Sequence, residues 1–162
     1  MSTTTEVVKA ISRVLDRYWL DKEKNTYSFP VDPVTIAQRM GLKVEPYPLG
    51  YKDHLGELQD KTIRYSRELP IETQRIVIAH EIGHYALGHG SSFYDSNENF
   101  DVLTSDINEK MANAFAIALL VPGPAIRYLV DKKGITDPEL IKQKLIVPSS
   151  AVAIQMRSLG YA

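Results

Sequence analysis

The chain has no cysteine in its 162 residues. That excludes disulfides, thiolate metal ligands and a cysteine nucleophile, and it fits a reducing compartment. No apolar run is long enough to span a bilayer. The first residues, Met1 to Glu6, lack the basic start and apolar core of a signal peptide. The expectation is a soluble, cytoplasmic protein with no membrane partner. Charge of one sign is not in excess either. Nineteen basic residues face twenty acidic ones, for a net charge of −1, so no global field draws the chain to nucleic acid. Internal repeats and low-complexity tracts are absent. The length suits one domain with a real hydrophobic core, and the apolar content of 44% is ordinary for one.

Against that plain background one stretch stands out, Val77-Ile78-Ala79-His80-Glu81-Ile82-Gly83-His84-Tyr85. It contains His-Glu-x-x-His. On a helix, His80 and His84 lie one turn apart on the same face, so two imidazoles can reach one metal ion. Glu81 can then lean over the open coordination position and take a proton from bound water. The motif therefore points to a zinc peptidase. It still requires a helix, a third ligand and a cleft.

The flanking pattern supplies an α+β frame. Val7, Ile11, Val14, Leu15 and Tyr18 recur at helical spacing. Asp32-Pro33 is a helix start and Gly41 a helix stop. Leu42 to Pro46, His54 to Leu58 and Thr62 to Ser66 read as strands, the last two joined by a turn at Gln59-Asp60-Lys61. They predict a small, mostly antiparallel three-stranded sheet that needs a helix on one face. Pro46 and Pro48 place the first strand at an edge. The covering helix runs from Pro70 to about His89, ended by Gly88 and Gly90. Gly83 costs it about 1 kcal/mol relative to alanine, and close approach of a strand backbone is the expected reason.

Ser91 to about Thr104 reads as a long polar connection and a potential lid. Asp95, Asn97, Asn99 and Asp106 have the spacing of a calcium loop, but Phe100 stands where glycine is required. A solvated loop is the better reading. Asp106 to Leu120 is apolar nearly all round and predicts a buried helix. Helices from Pro124, from Asp137-Pro138 and from Ser149 or Ser150 follow. The last two, joined by Ile146-Val147-Pro148-Ser149, resemble a helix-turn-helix. The chain then divides into an N-terminal helix (1–24), a core (31–121) and a helical C-terminal part (122–162), all within one domain.

Without cysteine, a catalytic zinc must be held by histidine and carboxylate. His89 is close in sequence. In the extended His-Glu-x-x-His pattern, however, a glycine falls three residues after the second histidine and a third histidine six after it. Here those positions are Leu87 and Gly90. His89 is better read as a residue at the helix C-terminus, interacting with the dipole. Glu109 is the better third ligand. It interrupts the apolar helix four residues before Asn113, on the same face, and Asn113 can orient His84. An exposed first turn would also explain Glu109. His54, Arg64, Tyr85 and Tyr94 are candidates for a second electrophile at the cleavage step.

Ile78 to His89, followed by Glu109-x-x-Ala112-Asn113-x-Phe115-Ala116, resembles the ImmA/IrrE metallopeptidase family. The Asp32-Pro33…Ile36-Ala37…Gly41-Leu42-x-Val44 stretch is similar, as is the ending Val147-x-x-Ser150-Ala151…Arg157-x-Leu159-Gly160. The resemblance spans about Val31 to Gly160. It implies a zincin-like core with zinc on His80, His84 and Glu109, Glu81 as general base, and a helix-turn-helix-shaped C-terminal part. Another divalent metal such as manganese would be an alternative occupant. It also implies a regulatory protein as substrate, a helix-turn-helix repressor foremost. Some relatives carry an N-terminal DNA-binding domain, and this chain is too short for one before its core. The repressor is therefore expected on a separate polypeptide.

Other readings compete. A non-cleaving module could sequester a repressor or a toxin or antitoxin partner. A toxin-like peptidase could be paired with an inhibitor protein. Direct nucleic-acid binding through Lys142, Lys144 and Arg157 is not expected, because these cations are few and interleaved with apolar residues.

Overall fold

The structure, a computed structural model, describes residues 2–95 and 106–161. Its elements in chain order are helices α1 (Thr3–Tyr18) and α2 (Pro33–Arg39), strands β1 (Lys43–Pro46), β2 (Gly56–Gln59) and β3 (Thr62–Tyr65), helix α3 (Ile71–Ala86), strand β4 (Ser92–Tyr94), and helices α4 (Ile107–Leu120), α5 (Gly123–Arg127), α6 (Pro138–Leu145) and α7 (Ser149–Ser158). A π-helical turn, Tyr128–Lys132, continues α5. Residues 96–105, which carry most of the calcium-loop spacing and the expected lid, lie outside the described residues.

Local chemistry accounts for the boundaries. Asp32 accepts a hydrogen bond from the Val34 amide and Pro33 opens α2. Gly41 then takes φ +86°, letting the Leu42 amide return to the Ala37 carbonyl at 2.9 Å. Asp106 caps α4 by accepting from the amides of Asn108 and Glu109. Asp137 caps α6 in the same way.

The sheet corrects the expectation of three mostly antiparallel strands. Among the described residues it has four, in the order β1-β3-β2-β4, and it is mixed. β1 runs parallel to β3, with Val44 opposite Ile63. β2 is antiparallel to both β3 and β4, with Leu58 opposite Ile63 and Glu57 opposite Phe93. Two parallel neighbours cannot be joined by a hairpin; residues 47–55 carry the chain from β1 past one strand position to β2, and β3 returns into the place between them. β4 arises from the stretch read as connection, because three residues are too few to show alternation.

α3 lies across the inner face of the sheet. Gly56 on β2 is the point of closest approach, since a β-carbon there would fall on Val77 Cγ1. Gly83 serves a different contact from the one expected. Its missing β-carbon makes room for a helix side chain, Phe115 of α4, with Cβ and Cδ1 both 3.0 Å from where it would sit. No strand backbone is among the nearest atoms. α3 and α4 therefore pack with almost nothing between them at the level of the two histidines. α1 covers the other side of α4. Ile126, Ile141, Leu145 and Val152 from the C-terminal helices join the same buried cluster. Among the described residues, no single helix is long and apolar enough to cross a membrane.

Candidate metal centre

His80, Glu81 and His84 all lie on the buried middle of α3. The i, i+4 spacing brings the imidazoles together edge to face, and their Nε2 atoms come within 3.0 Å of each other. Glu109, in the first turn of α4, meets both. Its Oε2 is 3.0 Å from His80 Nε2 and its Oε1 is 2.9 Å from His84 Nε2. The histidine side chains are 1% and 2% exposed, whereas Glu109 is 30% exposed, so the cluster opens to solvent on the Glu109 side.

Electrostatics suit a cation. Burial lowers the His80 pKa and keeps the ring neutral. Burial would raise that of Glu109, but hydrogen bonds from His80 and His84 and their charge outweigh it, holding the carboxylate well below its ordinary range. Two imidazole nitrogens and one carboxylate thus converge on one point. Tetrahedral zinc with Zn–N of about 2.0–2.1 Å would set its ligand nitrogens roughly 3.3–3.4 Å apart. The 3.0 Å spacing needs only a few tenths of an ångström of relaxation to match. The donor set fits the metal.

Glu81 is fully buried. It also lies close enough to the imidazoles to be counted with them as a three-ligand group. Its nearest approach to His80 Nε2 is nevertheless 3.8 Å, longer than either Glu109 contact. One of its oxygens accepts a 2.7 Å hydrogen bond from Ser92 Oγ. The other, Oε1, has no partner among the described residues. Burial pushes the Glu81 pKa up to about 8. The Ser92 bond opposes that rise, and the charges of Glu109 and Glu57 add to it.

The remaining candidates are placed variously. Asn113 is buried on α4 and favours the charged form of His80. The Nδ1 of His84 is instead met by His89 Nδ1 at 2.9 Å. Tyr94 packs its ring edge-on against His80, with centroids 4.7 Å apart. Burial and the charges of Glu109 and Glu81 raise its phenol pKa. His54 stacks on Phe93 and pairs with Asp95 at 2.6 Å. Arg64 is engaged by Glu45 and Glu57. Tyr85 is only partly buried. Sequence reasoning overlooked Ser92, which has no signature outside a folded β4, and placed His89 at a helix end when α3 stops before it.

Comparison with known proteins agrees with this geometry. The profile of the M78 peptidases, described as the IrrE N-terminal-like domain, matches residues 37–157. The radiation response metalloprotease IrrE of Deinococcus radiodurans is 29% identical over 117 residues, a match covering 69% of this chain and 36% of that protein. The chain thus aligns with little more than a third of that relative's length. The matched profile spans both the His80–His84 helix and the Glu109 helix, and the chain belongs to the M78 peptidases, the ImmA/IrrE family of metallopeptidases.

Proposed function

We propose that this chain is a cytoplasmic zinc-dependent endopeptidase that cuts a regulatory protein, in first place a helix-turn-helix transcriptional repressor on a separate polypeptide. The observation that carries the reading is the meeting of His80 Nε2, His84 Nε2 and the Glu109 carboxylate at 2.9–3.0 Å beside a buried Glu81. His80, His84 and Glu109 would hold the ion, and manganese is an alternative occupant. When bound, zinc supplies Lewis acidity and a water whose pKa falls to about 7 in known sites.

Glu81 is the general base; its pKa of about 8 is that of the metal-free site, and a dication bound beside it would favour the ionised carboxylate this role requires. The Ser92 hydroxyl fixes one oxygen and leaves Oε1 to receive a proton and return it to the leaving amine. Tyr94, against His80, is the best-placed of the four candidates for a second electrophile. β4 ends the sheet order, so an extended substrate strand adding to its outer edge would lie along the site. Asn113 supports the ligand cluster from α4. Of the two roles open to the α6–α7 pair, core or partner surface, the burial of Ile141, Leu145, Val147 and Val152 supports the core.

The test incubates the protein and Glu81→Gln with candidate helix-turn-helix repressors from the same genome, with and without chelator. Cleavage by the wild type alone, lost with chelator and restored by zinc, is expected. Cleavage by both proteins, or by neither with any metal tried, would sink the peptidase reading. Biological activity that survives Glu81→Gln would point to a binding module instead.

A further inference from the structure

We propose that His89 is a positioning residue for His84: in the loaded site its Nδ1 accepts a hydrogen bond from the Nδ1–H of His84 and holds that ring with its Nε2 lone pair on the metal. The inference rests on the metal-centre reading above. His84 Nδ1 and His89 Nδ1 are 2.9 Å apart, and one proton fits between them. If His89 donated it, the remaining proton of a neutral His84 would sit on Nε2 and close that atom to a metal. If His84 donates it, Nε2 is free to ligate. His84 is 2% exposed, so bulk water is a poor alternative acceptor. A metal-binding histidine needs such an acceptor on its second nitrogen.

The backbone is built for this contact. Had α3 continued, residue 89 would lie about 140° around the helix from residue 84. Instead Gly88 takes φ +74°, and the His89 amide turns back onto the His84 carbonyl at 2.9 Å. That brings the two rings edge to face, with centroids 5.1 Å apart.

Two variants separate an acceptor from a filler. In His89→Asn the amide oxygen occupies the place of Nδ1 and still accepts. In His89→Leu the volume is kept and the acceptor is lost. Zinc affinity is measured by competition with a chromophoric chelator, and melting of the metal-free proteins checks folding. The second readout is the exchangeable Nδ1–H resonance of His84 in the cobalt-loaded proteins. His89→Leu is expected to bind zinc about 10–100-fold more weakly and to exchange that proton rapidly. His89→Asn should keep most of the affinity and the slow exchange. Equal behaviour of all three proteins, or equal loss in both variants, would overturn the role of His89 while leaving the metal centre standing. A wild type that binds no zinc would overturn both.

Discussion

Gly83→Ala puts two opposing effects of known sign on one atom. In an exposed helix interior, alanine would gain about 1 kcal/mol over glycine. Here the new β-carbon sits 3.0 Å from both Cβ and Cδ1 of Phe115 and 3.1 Å from its Cγ. Comfortable carbon contacts are about 3.5–4.0 Å, so the gap must widen by roughly half an ångström. Phe115 is completely buried. Its Cβ is bonded to the α4 backbone, so rotation of the ring does not remove the clash and α4 itself must move. Overpacking of this kind costs about 1–3 kcal/mol. The metal-free variant should therefore unfold with a free energy equal to the wild type or lower by as much as about 2 kcal/mol, read from urea titration. The same shift separates Glu109 on α4 from His80 and His84 on α3, so zinc affinity should fall about tenfold, a loss of about 1.4 kcal/mol, in chelator competition. A variant more stable by the full propensity gain, with unchanged zinc affinity, would refute the argument.

Two further substitutions probe the frame around the site. Arg75 donates to the carbonyls of Val31 at 2.6 Å, Ile146 at 2.9 Å and Leu145 at 3.3 Å, tying α3 to the turn before α7. Arg75→Leu should cost about 2–4 kcal/mol in urea unfolding, and Arg75→Lys should recover only part, because an ammonium lacks the planar fork; a neutral Leu variant would contradict this. Tyr47 donates to the buried Glu57 at 2.7 Å, so Tyr47→Phe should cost about 1–2 kcal/mol at neutral pH. Burial and then the Glu57 bond raise the Tyr47 pKa above its ordinary 10.0. Its contribution is therefore fully present below pH 10 and lost as pH rises beyond it. The stability gap between wild type and Tyr47→Phe should narrow above that pH, and a gap that widens would reverse the assignment.

Much of this could be read from residues because the deciding physics is local. Asp32-Pro33, Asp106 and Asp137-Pro138 announce helix starts, and each caps a helix in the fold. The proximity of Glu109 to both histidines was readable because a carboxylate in an otherwise apolar helix demands a partner. What was not legible depends on contacts between distant segments. The gap at Gly83 is filled by Phe115, thirty-two residues later, and no local pattern distinguishes a helix neighbour from a strand. The parallel pairing of β1 with β3 turns on the path of residues 47–55. Sequence alone continues the helix to His89, whereas the positive φ of Gly88 brings that ring back to His84.

Among the described residues, β4 is three residues long and lies at the end of the sheet. Alternation sends Ser92 and Tyr94 to one face, where they touch Glu81 and His80, while Phe93 stacks on His54. Short edge strands open far more often than the middle of a buried helix. Each time β4 lifts from β2, the hydroxyl leaves the carboxylate and the aromatic ring leaves the imidazole together. The persistence time of the assembled site is then set by the exchange kinetics of this strand rather than by the lifetime of the helix that carries the motif.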